Sequence, residues 1–238
     1  MSEAGRVGLI SGTGEEGQGI AVRLAAAGIR VAIGSRSAER ARQQALEINQ
    51  KIGNTKVQGM DNHELIRTCD TLFLTVPYIH SQQVISEYQK ELSQDQILVD
   101  VTVPIVFDKG PRLVDLGDQS GAEHLQSLLP SGPVVVAAFK TLPAHLLCDI
   151  GSPLDCDEFM CSDSSQAKSR VLELVGSIPR LRWIDAGPLR YSRSLEAITL
   201  LEIGLNRRYG VKHSRIQMVG LETPAQGTSP ASKRKEGR

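Results

Sequence analysis

Arg6-Val-Gly-Leu-Ile-Ser-Gly-Thr-Gly-Glu-Glu-Gly17 is the stretch on which the reading of the whole chain turns. Arg6 to Ser11 is a short apolar run suited to a buried strand, and Gly17 to Ala27 has helical spacing stopped by Gly28. Between them, Gly12-Thr13-Gly14-Glu15-Glu16-Gly17 forms a G-x-G-x-x-G that follows a strand and opens a helix, a context that makes a weak motif specific. Gly12 then permits the tight turn, Gly14 lets backbone N–H groups approach a pyrophosphate, and Gly17 allows helix to pack closely on strand. The phosphates are expected at the positive end of the helix. Glu15 and Glu16 put two carboxylates in this loop, and both are expected to point to solvent, where they favour the free helix terminus.

Outward from this stretch the same alternation continues. Arg30 to Gly34 reads as a second strand, Ser37 as the N-cap of a long helix ended by Gly53-Asn54, and Val57 as a weak third strand. Asn62 is a plausible cap for a short helix to Cys69, and Thr71 to Val76 is a clear strand closed by Pro77. A helix over His80 to Leu92 and a strand over Ile97 to Thr102 follow. Strands with two apolar faces alternating with helices predict a parallel sheet covered on both sides. At the end of the second strand, Gly34-Ser35-Arg36 offers no carboxylate for a ribose 2′-hydroxyl. Arg36 can fork onto a 2′-phosphate, Ser35 can donate to it, and Arg40 lies one helical turn on, so NADP is the expected dinucleotide. Val76 and Pro77 are expected as an apolar shelf near the nicotinamide. His80 reads chiefly as the cap or first turn of the next helix, with proton donation as the alternative.

Past Pro104 the pattern blurs into a Gly/Asp-rich loop to about Gly121 and a short helix that ends at Pro130, before the strand Val134 to Phe139. A Pro-containing turn, a strand at Asp157 to Ser162, a helix at Ser165 to Ser177, a strand at Leu181 to Asp185 and a long helix at Leu189 to Arg208 complete the pattern. The fold class expected is α/β, a Rossmann-type doubly wound parallel sheet with a small C-terminal α/β domain. The expected boundaries are a dinucleotide domain at 1–139, a small domain at 140–221 and a disordered basic tail at 222–238.

Composition narrows the function classes. The 238 residues carry 27 Lys+Arg against 27 Asp+Glu, so a nucleic-acid platform or an anionic-membrane binder has no electrostatic basis. No apolar run approaches the length of a membrane span, and the first residues lack a signal-peptide pattern, which leads to the expectation of a cytosolic protein. The four cysteines show neither C-x-x-C nor zinc-like spacing, so no metal site is expected.

The residues resemble one family, the NADPH-dependent coenzyme F420 reductases, over roughly residues 6 to 215. The resemblance rests on Gly12-Thr13-Gly14, Ile33-Gly34-Ser35-Arg36, Val76-Pro77-Tyr78, Val106-Phe107-Asp108-Lys109-Gly110 and Val136-Ala137-Ala138-Phe139. Asp185-Ala186-Gly187-Pro188-Leu189, Glu196-Ala197 and Asn206-Arg207-Arg208-Tyr209 add to it. These late motifs are particular to the family and to the cytosolic domains of the metalloreductases. The resemblance implies hydride transfer between NADP(H) and the deazaflavin F420, with F420 as co-substrate, in a homodimer.

Such a transfer requires ring positioning rather than a catalytic triad. Carried over residue by residue, the resemblance places NADP on Thr13, Gly14, Ser35, Arg36, Arg40, Val76 and Pro77. It places the deazaflavin on Val103, Pro104, the turn Lys140-Thr141-Leu142-Pro143 and the start of the last helix near Leu189. Lys140 stands where the family commonly carries His, at the mouth of the expected pocket. There it can pair with the anionic deazaflavin or its tail, or polarise the carbonyl of a different substrate. Two other readings stay open at this point: an NADPH reductase of an imine, keto acid or flavin, and an NADP-holding redox sensor without turnover.

Overall fold

A computed structural model describes residues 6–221; the expected tail at 222–238 lies outside the described residues. The alternation read from the sequence is present as β1 (Val7–Ile10), α1 (Glu15–Ala26), β2 (Val31–Ser35), α2 (Ala38–Ile52), β3 (Val57–Asp61), α3 (Asn62–Thr68), β4 (Thr71–Leu74), α4 (Tyr78–Tyr88) and β5 (Ile97–Asp100). Then come β6 (Ile105–Phe107), β7 (Pro111–Leu113), α5 (Gly121–Ser127), β8 (Val134–Ala137), α6 (Ala144–Cys148), β9 (Cys156–Cys161), α7 (Ser165–Val175), β10 (Leu181–Gly187) and α8 (Ser192–Tyr209).

Eight strands form one sheet in the order β10-β9-β8-β5-β4-β1-β2-β3. From β3 to β8 all neighbours are parallel, as two-sided apolar strands require. One apolar core joins α1, α2, α6 and α7 to one face, and a second joins α3, α4, α5 and α8 to the other. The local stops are those the chemistry dictates: Ser37 Oγ accepts from the Arg40 N–H to cap α2, and Gly53 ends it at φ 66°.

Three regions differ from the sequence reading. The expected loop after Pro104 contains the hairpin β6–β7, short enough that three-residue strands carry no periodicity; Asp108 bonds Arg112 across it and Gly110 turns it at φ 120°. The turn after residue 140 contains a short helix, α6, which Arg23 of α1 holds by donating to the carbonyls of Leu146, Leu147, Asp149 and Ser152. The chain after residue 140, expected as a small second domain, adds β9 and β10 to the same sheet. β9 runs antiparallel to β8 through the single pairing Ala137↔Cys161, so its earlier residues extend past the carboxyl edge of β8.

Candidate active site

The carboxyl ends of β1, β2, β4, β5 and β8 define the edge where ligands of such sheets bind. At β1 the left-handed residue of the turn is Ser11, at φ 56°, rather than Gly12. Asn62 holds it, accepting from the Ser11 N–H at 3.0 Å and donating to Ser11 Oγ at 3.2 Å and to Tyr88 Oη at 3.3 Å. Asn62 is therefore a support of the loop and not the helix cap expected; Asp61 takes the cap, accepting from the Glu64 N–H at 2.9 Å. A polar pair at the end of a weak strand is the only sequence trace of this clamp.

Gly12 is needed for closeness, since a Cβ there meets Leu9 Cβ at 2.7 Å. A Cβ on Gly17 meets the Gly12 backbone at 2.6 Å, so helix rests directly on turn. Above Gly14 nothing lies within 4 Å, and no side chain caps α1. Thr13 completes the loop, its carbonyl bonded by Gln18 Nε2 at 2.8 Å. An uncapped helix terminus under open space fits a pyrophosphate, whose oxygens would take the free N–H groups.

At the end of β2, Ser35 is buried and its hydroxyl accepts from the Ser37 N–H at 3.2 Å. Arg36 and Arg40 are exposed, and among the described residues neither has an ion pair. Two uncommitted guanidinium groups at this position fit a 2′-phosphate. Across the edge, Thr75 Oγ1 ties β4 to β1 by donating to the Ile10 carbonyl at 2.8 Å, and Val76 and Pro77 follow, half-buried and exposed. His80 is exposed in the first turn of α4, with its N–H on the Pro77 carbonyl. Val103 is half-buried and Pro104 is buried beside the ring of Tyr78 and Gly121.

Lys140 requires a correction. Its ammonium is not at a pocket mouth: it lies fully buried, 2.7 Å from Asp100 Oδ2 and 3.7 Å from Glu196 Oε1, and it also donates to the Thr102 carbonyl. The physical reason is the lysine's position just after β8, beside the end of β5, where Asp100 is buried and needs a counter-charge. Asp100 also accepts from Thr102 Oγ1 at 2.7 Å, and Glu196 accepts from the Gly121 N–H at 3.1 Å and from Ser192 Oγ at 3.0 Å. Burial holds the Glu196 carboxyl above its ordinary range, against the pull of Lys140. The Tyr78 hydroxyl, beside this network, is pushed up to about 12 by burial and by the charges of Asp100 and Glu196.

Leu142 and Leu189 are also placed differently from expectation. Both are buried, one in each apolar core, so they back the site and do not line it. Pro143 is half-buried and precedes α6 as its N-cap. Thr141 is buried, its hydroxyl donating to Glu158 Oε2 at 2.8 Å.

Glu158 belongs to a cluster that sequence reasoning missed. It lies on β9, fully buried, and also accepts from the Lys140 N–H at 3.1 Å. Glu16 is half-buried and turned inward, contrary to the expectation of solvent, and its Oε1 is enclosed without a hydrogen bond. Glu202, on α8, is 7% exposed and its Oε1 is likewise enclosed and unpartnered. Burial and then the charge of Glu158 push both carboxyls up to about 8, with Glu15 adding to Glu16. Burial pushes Glu158 itself up to about 7, against the hydrogen bond from Thr141. The three arrive from distant parts of the chain, so no spacing announces them. Glu15, by contrast, is exposed as expected.

With this geometry in place, the comparisons with known proteins are decisive. Residues 6–104 match the family described as NADP oxidoreductase, coenzyme F420-dependent. The F420-dependent NADP reductase of Methanocaldococcus jannaschii is 36% identical over 224 residues, covering 91% of this chain and 99% of that protein. The chain belongs to the F420-dependent NADP reductase family. The Methanothermobacter marburgensis member is 37% identical over 223 residues, again covering 91% of this chain and 99% of its own. A crystal structure of an Arthrobacter sp. FB24 protein superposes with a TM-score of 0.75 at 24% identity, over 90% of this chain and 99% of that one, and so supports the fold. The family is one of oxidoreductases, and the Rossmann-type sheet is the scaffold that it uses. No helix among the described residues is long and apolar enough to cross a membrane, and none of their His, Cys, Asp and Glu side chains cluster as a metal site.

Proposed function

We propose that this protein transfers hydride between NADP(H) and the deazaflavin coenzyme F420. The single observation that carries the reading is the pairing of an open, uncapped glycine loop at α1 with the uncommitted Arg36 at the end of β2. The loop would hold the pyrophosphate on the N–H groups around Thr13 and Gly14, while Arg36, Ser35 and Arg40 would hold the 2′-phosphate. Val76 and Pro77 would support the nicotinamide, and Val103, Pro104 and Pro143 would wall the deazaflavin side, with Leu142 packed behind them. Once the two rings are stacked, C4 of nicotinamide and C5 of the deazaflavin exchange hydride, and the protein contributes proximity and exclusion of water. Lys140 takes no direct part, since its ammonium is consumed in holding β5, β8 and α8 together.

The state we propose is a cytosolic homodimer. Its support is the exposed apolar side of α8, Leu201, Leu205 and Tyr209, on the helix that backs the substrate side, together with four free thiols suited to a reducing compartment.

The test is to mix the protein with NADPH and oxidised F420 and follow the deazaflavin's visible absorbance, with NADH in parallel. Rapid bleaching with NADPH and little with NADH is expected. Arg36→Ala is expected to raise KM for NADPH by about 10–100-fold, the worth of a charge-assisted fork, while the NADH rate stays within about twofold. Bound NADPH without any bleaching would sink the F420 assignment.

A further inference from the structure

We propose that Glu16, Glu158 and Glu202 form a charge-reading subsite for the nicotinamide ring, ionising beside the cationic oxidised ring and holding a proton beside the neutral reduced one. This rests on the NADP reading above and extends it to a role for side chains outside the dinucleotide motif.

Position is the first support. The 2′-phosphate end of the cofactor lies toward β2, where Arg36 stands, so the nicotinamide half runs from the α1 terminus the other way, over β4, β5 and β8. Glu16 occupies the first turn of α1, immediately after the phosphate loop. β9, antiparallel to β8, carries Glu158 past the sheet edge to the Lys140 N–H and the Thr141 hydroxyl. Glu202, buried on α8, is near enough to Glu158 for the two charges to act on each other.

Unmet chemistry is the second. Among the described residues no Lys, Arg or His side chain donates to any of the three carboxyl groups, and two enclosed oxygens have no partner at all. Enclosed carboxylates persist only with a counter-charge or a proton. Among the described residues, none of the other titratable groups facing them forms an ion pair with any of the three carboxyls. Glu15 shares the turn of α1, and Cys148 faces Glu16 from α6. Arg23 and Lys51, on that side, are engaged with backbone carbonyls. On β9, Cys156 faces Glu158 and Glu202, with Arg215 acting on it, and the neighbouring Asp157 is paired with Arg182. Lys140 turns its ammonium away, to Asp100. The raised proton affinities of the three carboxyls agree with a site that holds a proton until a cation arrives.

The redox balance then closes within the site. In the reducing direction the C4–H bond of NADPH breaks, and its hydride forms a C–H bond at C5 of the deazaflavin with the electron pair. The nicotinamide becomes a cation, a carboxyl O–H breaks, and its proton goes to the ring nitrogen that the reduced deazaflavin must protonate. The carboxylate left behind faces the new cation. Oxidation of reduced F420 runs the same changes backward.

The test is calorimetric titration of the protein with NADP⁺ and, separately, with NADPH, at pH 7.5 in buffers of different ionisation enthalpy, together with Kd for both across pH 6–9. NADP⁺ is expected to release a substantial fraction of a proton and NADPH close to none. The NADP⁺/NADPH affinity ratio is expected to rise with pH, at a limit of about tenfold per pH unit for one proton. Glu202→Gln should lower both the release and the slope, and Glu16→Gln provides the same readout should the first variant fold poorly. Equal proton release by both cofactors, or a flat ratio in the wild type, would overturn the subsite while leaving NADP binding intact. Absence of binding by either would overturn the NADP reading and the subsite together.

Discussion

On one side of the turn after β8, Asp100 and Glu196 enclose Lys140; on the other, Glu16 and Glu202 act on Glu158, and among the described residues no cation pairs with any of the three. Both groups are buried, both draw on α8, and both bond to residue 140, one through its ammonium and the other through its N–H. In the first, each charged group has a partner, completed by Thr102, Gly121 and Ser192. In the second, partners run out after Thr141 and the Lys140 N–H. A buried charge cluster that is compensated belongs to the scaffold, because its interactions are complete without any ligand. One left uncompensated stores a demand that only a proton or a bound cation meets.

The largest effect expected from this contrast is at Lys140. Lys140→Met leaves two buried carboxylates facing each other without their cation, and loss of one partner from such a group costs about 3–5 kcal/mol. Urea unfolding at neutral pH measures it. A loss below ~1 kcal/mol would mean that the lysine is free for a ligand, as the sequence alone suggests. Glu196→Gln is milder, since Lys140 keeps Asp100 and the amide oxygen can still accept from Gly121. The loss expected is about 1.5–3 kcal/mol, the worth of hydrogen bonds to a charged group. An unchanged midpoint would remove α8 from the scaffold cluster.

The sequence makes the two clusters unequally visible. The glycine-rich turn, the arginine proposed for the 2′-phosphate and the parallel sheet are local: each follows from a few neighbouring residues whose spacing sets turn, helix and strand. Lys140 stands out in the sequence, but whether its ammonium meets a ligand or Asp100 depends on strand order, which puts the ends of β5 and β8 side by side. Glu16 reads from the sequence as solvent-facing, because a helix terminus explains a carboxylate without any tertiary contact. Glu158 and Glu202 carry no local signal: the reversal of β9 carries Glu158 past the edge of β8, and Glu202 comes from the distant helix α8. The hairpin β6–β7 and the helix α6 are too short for periodicity to register.

The smallest effect expected is the one with the opposite sign. A Glu202 carboxyl raised from 4.5 to about 8 binds more protons in the folded chain than in the unfolded chain between those values. Folding stability is therefore full below the unfolded value and is lost as pH climbs through the folded one. Glu202→Gln removes that titration and keeps the shape. The variant should lie close to wild type near pH 5, where the folded carboxyl is still neutral, and should melt at a higher temperature than wild type at pH 8.5, with the gap widening as pH rises. Thermal melts of the cofactor-free protein at the two pH values read the difference directly. Were Glu202 compensated like Glu196, the substitution would cost stability at both pH values, and the distinction between a finished cluster and a waiting one would fail.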